Sequence, residues 1–283
     1  MKIAYVTDSG IGKTAEEMAV DNIISLPLQI SVDDRSYQDM EDINKEQVID
    51  FLHQQKVMTT SLPSLGRIQE CFEKLKEEGV ELIFAVPICS GLSGTINAMH
   101  TIADQLEMEI ITIDTHVTAV VQEYLIRTAQ KMFNAGATLD KVKKMCQDTI
   151  DSCNTLLVPD DLQHLKRGGR LTPLAATLAG LLKIKPILMI NQSTKGRIDV
   201  KDKVRTYKRA LERTIQIMAE SPIDEHYQIT VAHMDDPDTA NQFAGMIREA
   251  FPKAEIQIIK LVNVVSVHTG LKTQAVQFFR KFD

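Results

Sequence analysis

An α/β fold, mainly parallel in its amino-terminal part, is what this sequence predicts, and three observations carry it. Short apolar runs alternate with amphipathic stretches from Lys2 to Ser152, the order that βαβ units produce. From Asn154 that alternation gives way to short helices, a glycine pair and a hairpin-like turn, which marks a second unit. At 283 residues the chain is long enough for two domains with sizeable cores.

Residues 2–6 form a first strand, and Thr14 with Glu17 has the capping-box spacing that starts a helix. The joining residues, Thr7-Asp8-Ser9-Gly10-Ile11-Gly12-Lys13-Thr14, end like the phosphate-cradling motif G-x-x-x-x-G-K-[ST]. Thr7 stands where that motif requires its first glycine, while the apolar run ending at Asp114 resembles its companion acidic strand. A P-loop-like nucleotide-binding ATPase using Gly12-Lys13-Thr14 is therefore the alternative reading. The plainer one is a chance Gly-Lys-Thr where a loop meets a helix cap.

An apolar run over residues 22–30 leads to Asp33-Asp34-Arg35, a turn. Asn44 and Gln47 cap a helix with the face Val48, Phe51 and Leu52. Thr59-Thr60-Ser61-Leu62-Pro63-Ser64 comes next, extended because a residue before proline avoids the helical region. Pro63 suits the first turn of the following helix, whose face is Ile68, Cys71, Phe72 and Leu75. Residues 81–88 read as a buried strand. Ile96, Met99, Ala103 and Leu106 then recur at helical spacing.

Ser90-Gly91-Leu92-Ser93-Gly94-Thr95 fills the turn between that strand and that helix. Its glycines let backbone approach a ligand closely, and its hydroxyls lie beside helix amides that carry partial positive charge. An anion pocket and a simple cap by Ser93 or Thr95 both fit this stretch alone. A serine hydrolase with Ser93 and His268 does not, because the stretch is not a G-x-S-x-G elbow.

Residues 109–113 are a strand, 117–133 a long amphipathic helix, and Thr138 caps a helix running to about Ser152. Beyond Asn154, residues 160–166 form a short helix stopped by Gly168-Gly169, with Arg170 directly after. Thr172-Pro173 opens a helix over 174–182. Its small residues Ala175, Ala176, Ala179 and Gly180 fit close packing or leave room for an apolar ligand. Residues 186–190 are a strand, joined by a turn at Thr194-Lys195-Gly196 to residues 197–200. Lys201, Lys203, Arg205, Lys208 and Arg209 enter a helix ending near Ala219, either as a solvated face or as a docking surface for an anionic partner. Strand, helix and strand follow over 227–232, 239–250 and 256–262, and His268-Thr269-Gly270 begins the last segment.

Composition excludes more than it names. Hydrophobic residues at 44% and charged residues at 25% describe an ordinary globular protein. A net charge of -6 with mixed signs offers no basic footprint for nucleic acid. No apolar run reaches membrane-span length and the amino terminus lacks a signal-peptide pattern, so a cytoplasmic location is expected. Four cysteines without a CxxC pair read as reduced core thiols. Seven scattered histidines give no metal site.

Several of these stretches, in this order, resemble the DegV family, whose bacterial members include the fatty-acid-binding (FakB) subunits of fatty-acid kinase. They are Thr7-Asp8-Ser9, Thr60-Ser61-Leu62-Pro63-Ser64, Ser90-Gly91-Leu92-Ser93-Gly94-Thr95, Leu165-Lys166-Arg167-Gly168-Gly169-Arg170, Lys185-Pro186, Lys203-Val204-Arg205 with Lys208, and His268-Thr269-Gly270. The chain departs from the family's pattern at Leu62, at Lys13-Thr14, and at Leu271-Lys272 after Gly270. The resemblance implies two α/β domains, residues 1–153 with a mainly parallel sheet and residues 154–283 with a mixed sheet, and a long-chain fatty acid between them. It assigns the fatty-acid carboxylate to Ser93, with Thr60, Ser61, Gly94 and His268 as helpers. Arg170 and Arg205 would face an ATP-dependent kinase partner that phosphorylates the bound carboxylate for phospholipid synthesis. The chain would then be a lipid-binding carrier with no catalytic set or cofactor of its own. It would be a monomer without a transmembrane segment that touches membranes only transiently.

Overall fold

A computed structural model of the protein describes residues 1–178 and 184–282. The amino-terminal half runs β1 (Ile3–Asp8), α1 (Ala15–Ala19), β2 (Ile23–Leu26), β3 (Gln29–Val32), β4 (Arg35–Gln38), α2 (Lys45–His53), β5 (Met58–Ser61), α3 (Leu65–Glu77), β6 (Leu82–Ala85), α4 (Thr95–Gln105), β7 (Ile110–Thr112), α5 (Val120–Asn134) and α6 (Leu139–Ser152). The carboxyl-terminal half continues with β8 (Asn154–Val158), α7 (Leu162–Arg167), α8 (Pro173–Leu178), β9 (Lys185–Ile190), β10 (Asp199–Val204), α9 (Tyr207–Met218), β11 (Tyr227–His233), α10 (Pro237–Ala250), β12 (Glu255–Lys260), α11 (Asn263–Thr269) and β13 (Gln274–Arg280).

The expected α/β class holds. β2-β1-β6-β7 form a parallel sheet, as short apolar strands buried between helices should. β10-β9-β8-β13-β11-β12 form a mixed sheet in which β11 and β12 are parallel and the other pairs antiparallel. A third, antiparallel sheet, β4-β3-β5, is an addition to the sequence reading. Its β5 contains Thr59, Thr60 and Ser61, read above only as extended. The turn at Asp33-Asp34 joins β3 to β4, with Asp33 at φ 53°.

Helix starts follow their caps. Thr14 and Glu17 make the predicted capping box, as do Asn44 and Gln47, and Thr138 accepts from the Lys141 amide. Pro63 is not in a helix's first turn: Ser64 caps α3, which begins at Leu65. The helix expected over 174–182 is described over Pro173–Leu178, and its remainder, including Ala179 and Gly180, lies outside the described residues.

One apolar core runs through both halves, joining Val86, Val117 and Leu125 to Leu157, Val262 and Phe279. Gln277 stitches the halves at β13: its Oε1 accepts from the Val121 amide at 2.9 Å and its Nε2 donates to Thr118 O at 2.9 Å. All four cysteines are free thiols, and burial pushes the Cys71 thiol up to about 11 and the Cys146 thiol up to about 12. No helix among the described residues is long and apolar enough to cross a membrane.

Candidate functional site

Between the halves lies a cavity of about 260 Å³. Its polar wall is Thr60, Ser61, Ser93, Arg170, His268 and Thr269, with Gly94 beside them. Leu28, Leu62, Ile88 and Leu92 line it from the amino-terminal half, and Ile198, Val264 and Val265 from the other. Leu92, Ile198 and Val265 also line a second cavity of about 60 Å³, which reaches between α5 and the mixed sheet.

Local chemistry places each polar group. Ser93 and Gly94 sit where β6 leads into α4, and Gly94 is the N-cap with no side chain bonded to the first-turn amides. Neither Ser93 nor Thr95 serves as the cap, since their hydroxyls bond each other at 2.8 Å. When Thr95 donates in that pair, the Ser93 proton is free to point into the cavity. Gly91 lets this turn pack against the backbone of the turn at Gly196, because a Cβ there would lie 2.2 Å from the Gly196 carbonyl carbon. Ser90, the loop's other serine, is bonded to Asp114 instead.

Thr60 lies in β5, one residue before its end, and His268 projects from α11; Thr60 Oγ1 and His268 Nε2 are 2.7 Å apart. Burial, reinforced by the nearby charge of Arg170 and His164, lowers the His268 pKa from 6.5 to about 4. At neutral pH the ring is therefore uncharged. In the tautomer with its proton on Nε2, it donates to Thr60, and Thr60 is left to donate onward. Arg170 follows the end of α7 and is half-buried, its Nη1 donating to Gly168 O at 2.7 Å and its Nε to Leu92 O at 3.3 Å.

Seven residues carry the sequence expectation, and six gather here: Thr60, Ser61, Ser93, Gly94, Arg170 and His268. Arg205 does not: it is exposed where β10 meets α9 and lines neither cavity. Thr7-Asp8-Ser9 also takes no part in the lining. Asp8 is fully buried, accepting from the amides of Ile88 at 2.8 Å and Gly10 at 3.0 Å and from Gln122 at 2.9 Å.

The Gly12-Lys13-Thr14 stretch is not arranged to cradle a phosphate. Thr14 is spent on capping α1, a helix of five residues, and Lys13 pairs with Glu17 at 3.5 Å. Among the described residues no group of three or more His, Cys, Asp or Glu is placed to hold a metal ion.

The apolar lining is less legible in the sequence than the polar wall. Val264 and Val265 belong to α11, a helix the sequence reading leaves unassigned, and Leu28 and Ile88 fall within the apolar runs 22–30 and 81–88, where nothing marks them as lining. In the second cavity even the polar neighbours present methyl and methylene surface. Thr155 Oγ1 accepts from Gln277 Nε2 at 2.9 Å, Thr230 Oγ1 accepts from Gln257 Nε2 at 2.9 Å, and Thr118 Oγ1 donates to Gly10 O at 3.1 Å. The chamber is greasy although its sequence positions include threonine and glutamine.

Similarity to known proteins fits this arrangement. A DegV domain-containing protein of Halalkalibacterium halodurans is 33% identical over 275 residues, covering 95% of each chain. One from Listeria innocua is 29% identical over 280 residues, covering 98% of this chain and 99% of the other. The crystal structure of a fatty acid binding DegV family protein from Streptococcus agalactiae matches with TM-score 0.90 at 29% identity over 100% of both chains. DegV of Bacillus subtilis, a fatty acid binding protein, shares the fold with TM-score 0.85 at 23% identity, over 99% of this chain and 100% of its own. The family model described as "uncharacterised protein, DegV family" spans residues 2–281. With the serine loop, the Gly168-Gly169-Arg170 segment and His268 meeting at one cavity, and with that match from end to end, this chain belongs to the DegV family.

Proposed function

We propose that the protein binds one long-chain fatty acid, its carboxylate at Ser93, Thr60, Ser61, Gly94 and His268 and its tail directed past Leu92, Ile198 and Val265. The observation carrying this reading is the pair of adjoining cavities: one has convergent hydroxyls at its wall, the other only apolar surface. Ser93 and Thr60 each have a partner that can turn a hydroxyl proton toward the ligand, Thr95 and neutral His268 respectively. The solved Streptococcus agalactiae relative, a fatty acid binding protein over the same length, supports it further.

Magnitudes divide the labour. A sixteen-carbon chain has about 14 methylenes at about 0.8 kcal/mol each, an upper bound of ~11 kcal/mol on burial. One hydrogen bond to the charged head nets about 1.5–3 kcal/mol. The tail sets affinity, and the hydroxyls set which end lies where.

The second part of the proposal is that the carboxylate is presented to an ATP-dependent kinase subunit, which transfers a phosphoryl group to it and releases ADP. Arg170 beside the hydroxyls suits the charge an acyl phosphate would add. Arg205, exposed and away from the cavity, suits contact with that partner.

Mass spectrometry of lipid extracted from the purified protein, beside an ATP/Mg titration, tests the first part. A stoichiometric fatty acid is expected, while nucleotide without lipid would overturn it in favour of the ATPase reading. Ser93→Ala is expected to reduce acyl phosphorylation more than palmitate binding. Unchanged turnover in that variant would remove Ser93 from the role.

A further inference from the structure

Asp39 is a buried carboxylate without a cation bonded to it. It follows β4, is 1% exposed, and its oxygens are held by neutral donors from two distant parts of the chain. Oδ1 accepts from Asn263 Nδ2 at 2.8 Å, and Oδ2 accepts from the Ser9 hydroxyl at 2.7 Å. Ser9 Oγ in turn accepts from the Leu28 amide at 3.1 Å, and the Asp39 amide donates to Leu28 O at 2.7 Å. Asn263, 2% exposed, is the first residue of α11, whose N-cap Val262 has no side chain to cap it.

Both ends of this link reach the cavity. Leu28 lines it on one side, and α11 supplies Val264, Val265, His268 and Thr269 on the other. Farther along α11, His164 Nε2 lies 2.9 Å from Val267 O, and His268 meets Thr60. A seven-residue helix is thus tied at its start, middle and end, and the first tie crosses from one half of the molecule to the other. Burying an ionised group on neutral donors is costly, so an ordinary apolar contact would hold the chain more cheaply. What the carboxylate adds is direction: it accepts one bond from each side and fixes their separation.

We propose that the Asp39–Asn263 pair is the positioning contact for the head-group end of the cavity, setting α11 so that His268 meets Thr60. This rests on the fatty-acid reading above. Asp39 touches no ligand; it acts through α11.

The test uses the full chain and two probes with the same tail, palmitate and hexadecanol, whose affinity ratio reports recognition of the carboxylate apart from tail burial. Asn263→Leu, which keeps the side chain's size and removes its donor to Asp39, is expected to lower that ratio about tenfold, the scale of one hydrogen bond to a charged group. The exchange Asp39→Asn with Asn263→Asp keeps one amide and one carboxylate, and the amide oxygen it brings to position 39 can still accept from Ser9. It is expected to restore the ratio to within about threefold of wild type. Should Asn263→Leu alone not fold, Asn263→Ala carries the same expectation. A folded single variant with the wild-type ratio, or a folded double variant with the ratio still depressed, would overturn the positioning role. A wild-type protein that binds neither probe would instead sink the fatty-acid reading.

Discussion

Gly168 lacks a side chain where the His268 ring needs the space. A Cβ at that position would lie 2.5 Å from His268 Nδ1 and 3.1 Å from His268 Cβ. Its backbone is ordinary, φ -65°, so the demand is steric rather than conformational. Gly168→Ala is expected to push the imidazole off Thr60 and weaken palmitate binding roughly three- to tenfold, the worth of one neutral hydrogen bond. Gly66→Ala is its control: nothing lies within 4 Å of that Cβ, and in α3 the change should add about 0.5–1 kcal/mol of stability. Displacement of a fluorescent fatty acid measures the first and urea unfolding the second. Wild-type affinity in Gly168→Ala would mean that the Thr60–His268 pair does not hold the head group. Ala119 shows the opposite strain. It precedes α5 at φ 66°, ψ -124°, a conformation suited to glycine, and lines the second cavity. Ala119→Gly should therefore stabilise by about 1 kcal/mol, raising Tm by about 2–4 °C, and a lower Tm would show that the lost methyl matters more than the relieved backbone.

Among elements, α4 ties fold to site most directly, and its turn was also the most legible in the sequence. The apolar run before Ser90 and the helical spacing after Gly94 locate it without any partner strand being known. Capping boxes at Thr14 and Asn44 were equally readable, because a cap is a local hydrogen-bond arrangement. β13 was not. Its residues Gln274 and Gln277 interrupt the apolar pattern, yet the strand lies in the middle of the mixed sheet and both glutamines are buried. Gln277 is tolerated there only because Val121, Thr118 and Thr155 satisfy it, partners more than a hundred residues away in sequence. The β5 strand was hidden for a similar reason: its three hydroxyl residues look like a loop until β3 pairs with them. Ser93, Thr60 and His268 could be singled out one at a time, but only tertiary packing joins them. For α4 itself, Gly94→Asp is expected to weaken palmitate binding at least about tenfold by placing a carboxylate where the ligand's own should sit. Leu62 Cδ2 is 3.6 Å from a Cβ there, an ordinary van der Waals contact, and Asp is a favoured N-cap residue, so Tm should not fall. Undiminished palmitate affinity in a folded Gly94→Asp protein would move the head group away from this helix.

Across the whole molecule, buried ionisable groups near the two-half seam oppose one another as pH changes. Burial raises Asp8 and Asp39 from 3.8 to about 6. The folded protein then holds these protons at a pH where the unfolded chain has lost them. The stability from each is fully present below about pH 3.8 and is lost as pH rises through about 6. His268, lowered from 6.5 to about 4, runs the other way: its contribution is full above 6.5 and is lost as pH falls through about 4. His233, lowered mainly by burial, acts in the same sense. At about 1.4 kcal/mol per unit, going from pH 7 to pH 5 gains about 2–3 kcal/mol from the two carboxyls and loses about 2 from His268. The wild type should therefore change little across this window, with its urea midpoint nearly level. Substitution separates the opposing parts. Asp39→Asn removes one gain, so acidification should destabilise that variant by about 1 kcal/mol relative to wild type. His268→Gln removes the loss, so the same acidification should stabilise it by about 2 kcal/mol. Slopes of opposite sign in these two variants are the signature, since a general loosening of the seam would tilt both the same way. Parallel slopes would mean that neither group carries its proton balance across folding, and with it would go the neutral His268 on which the Thr60 hydroxyl's orientation depends.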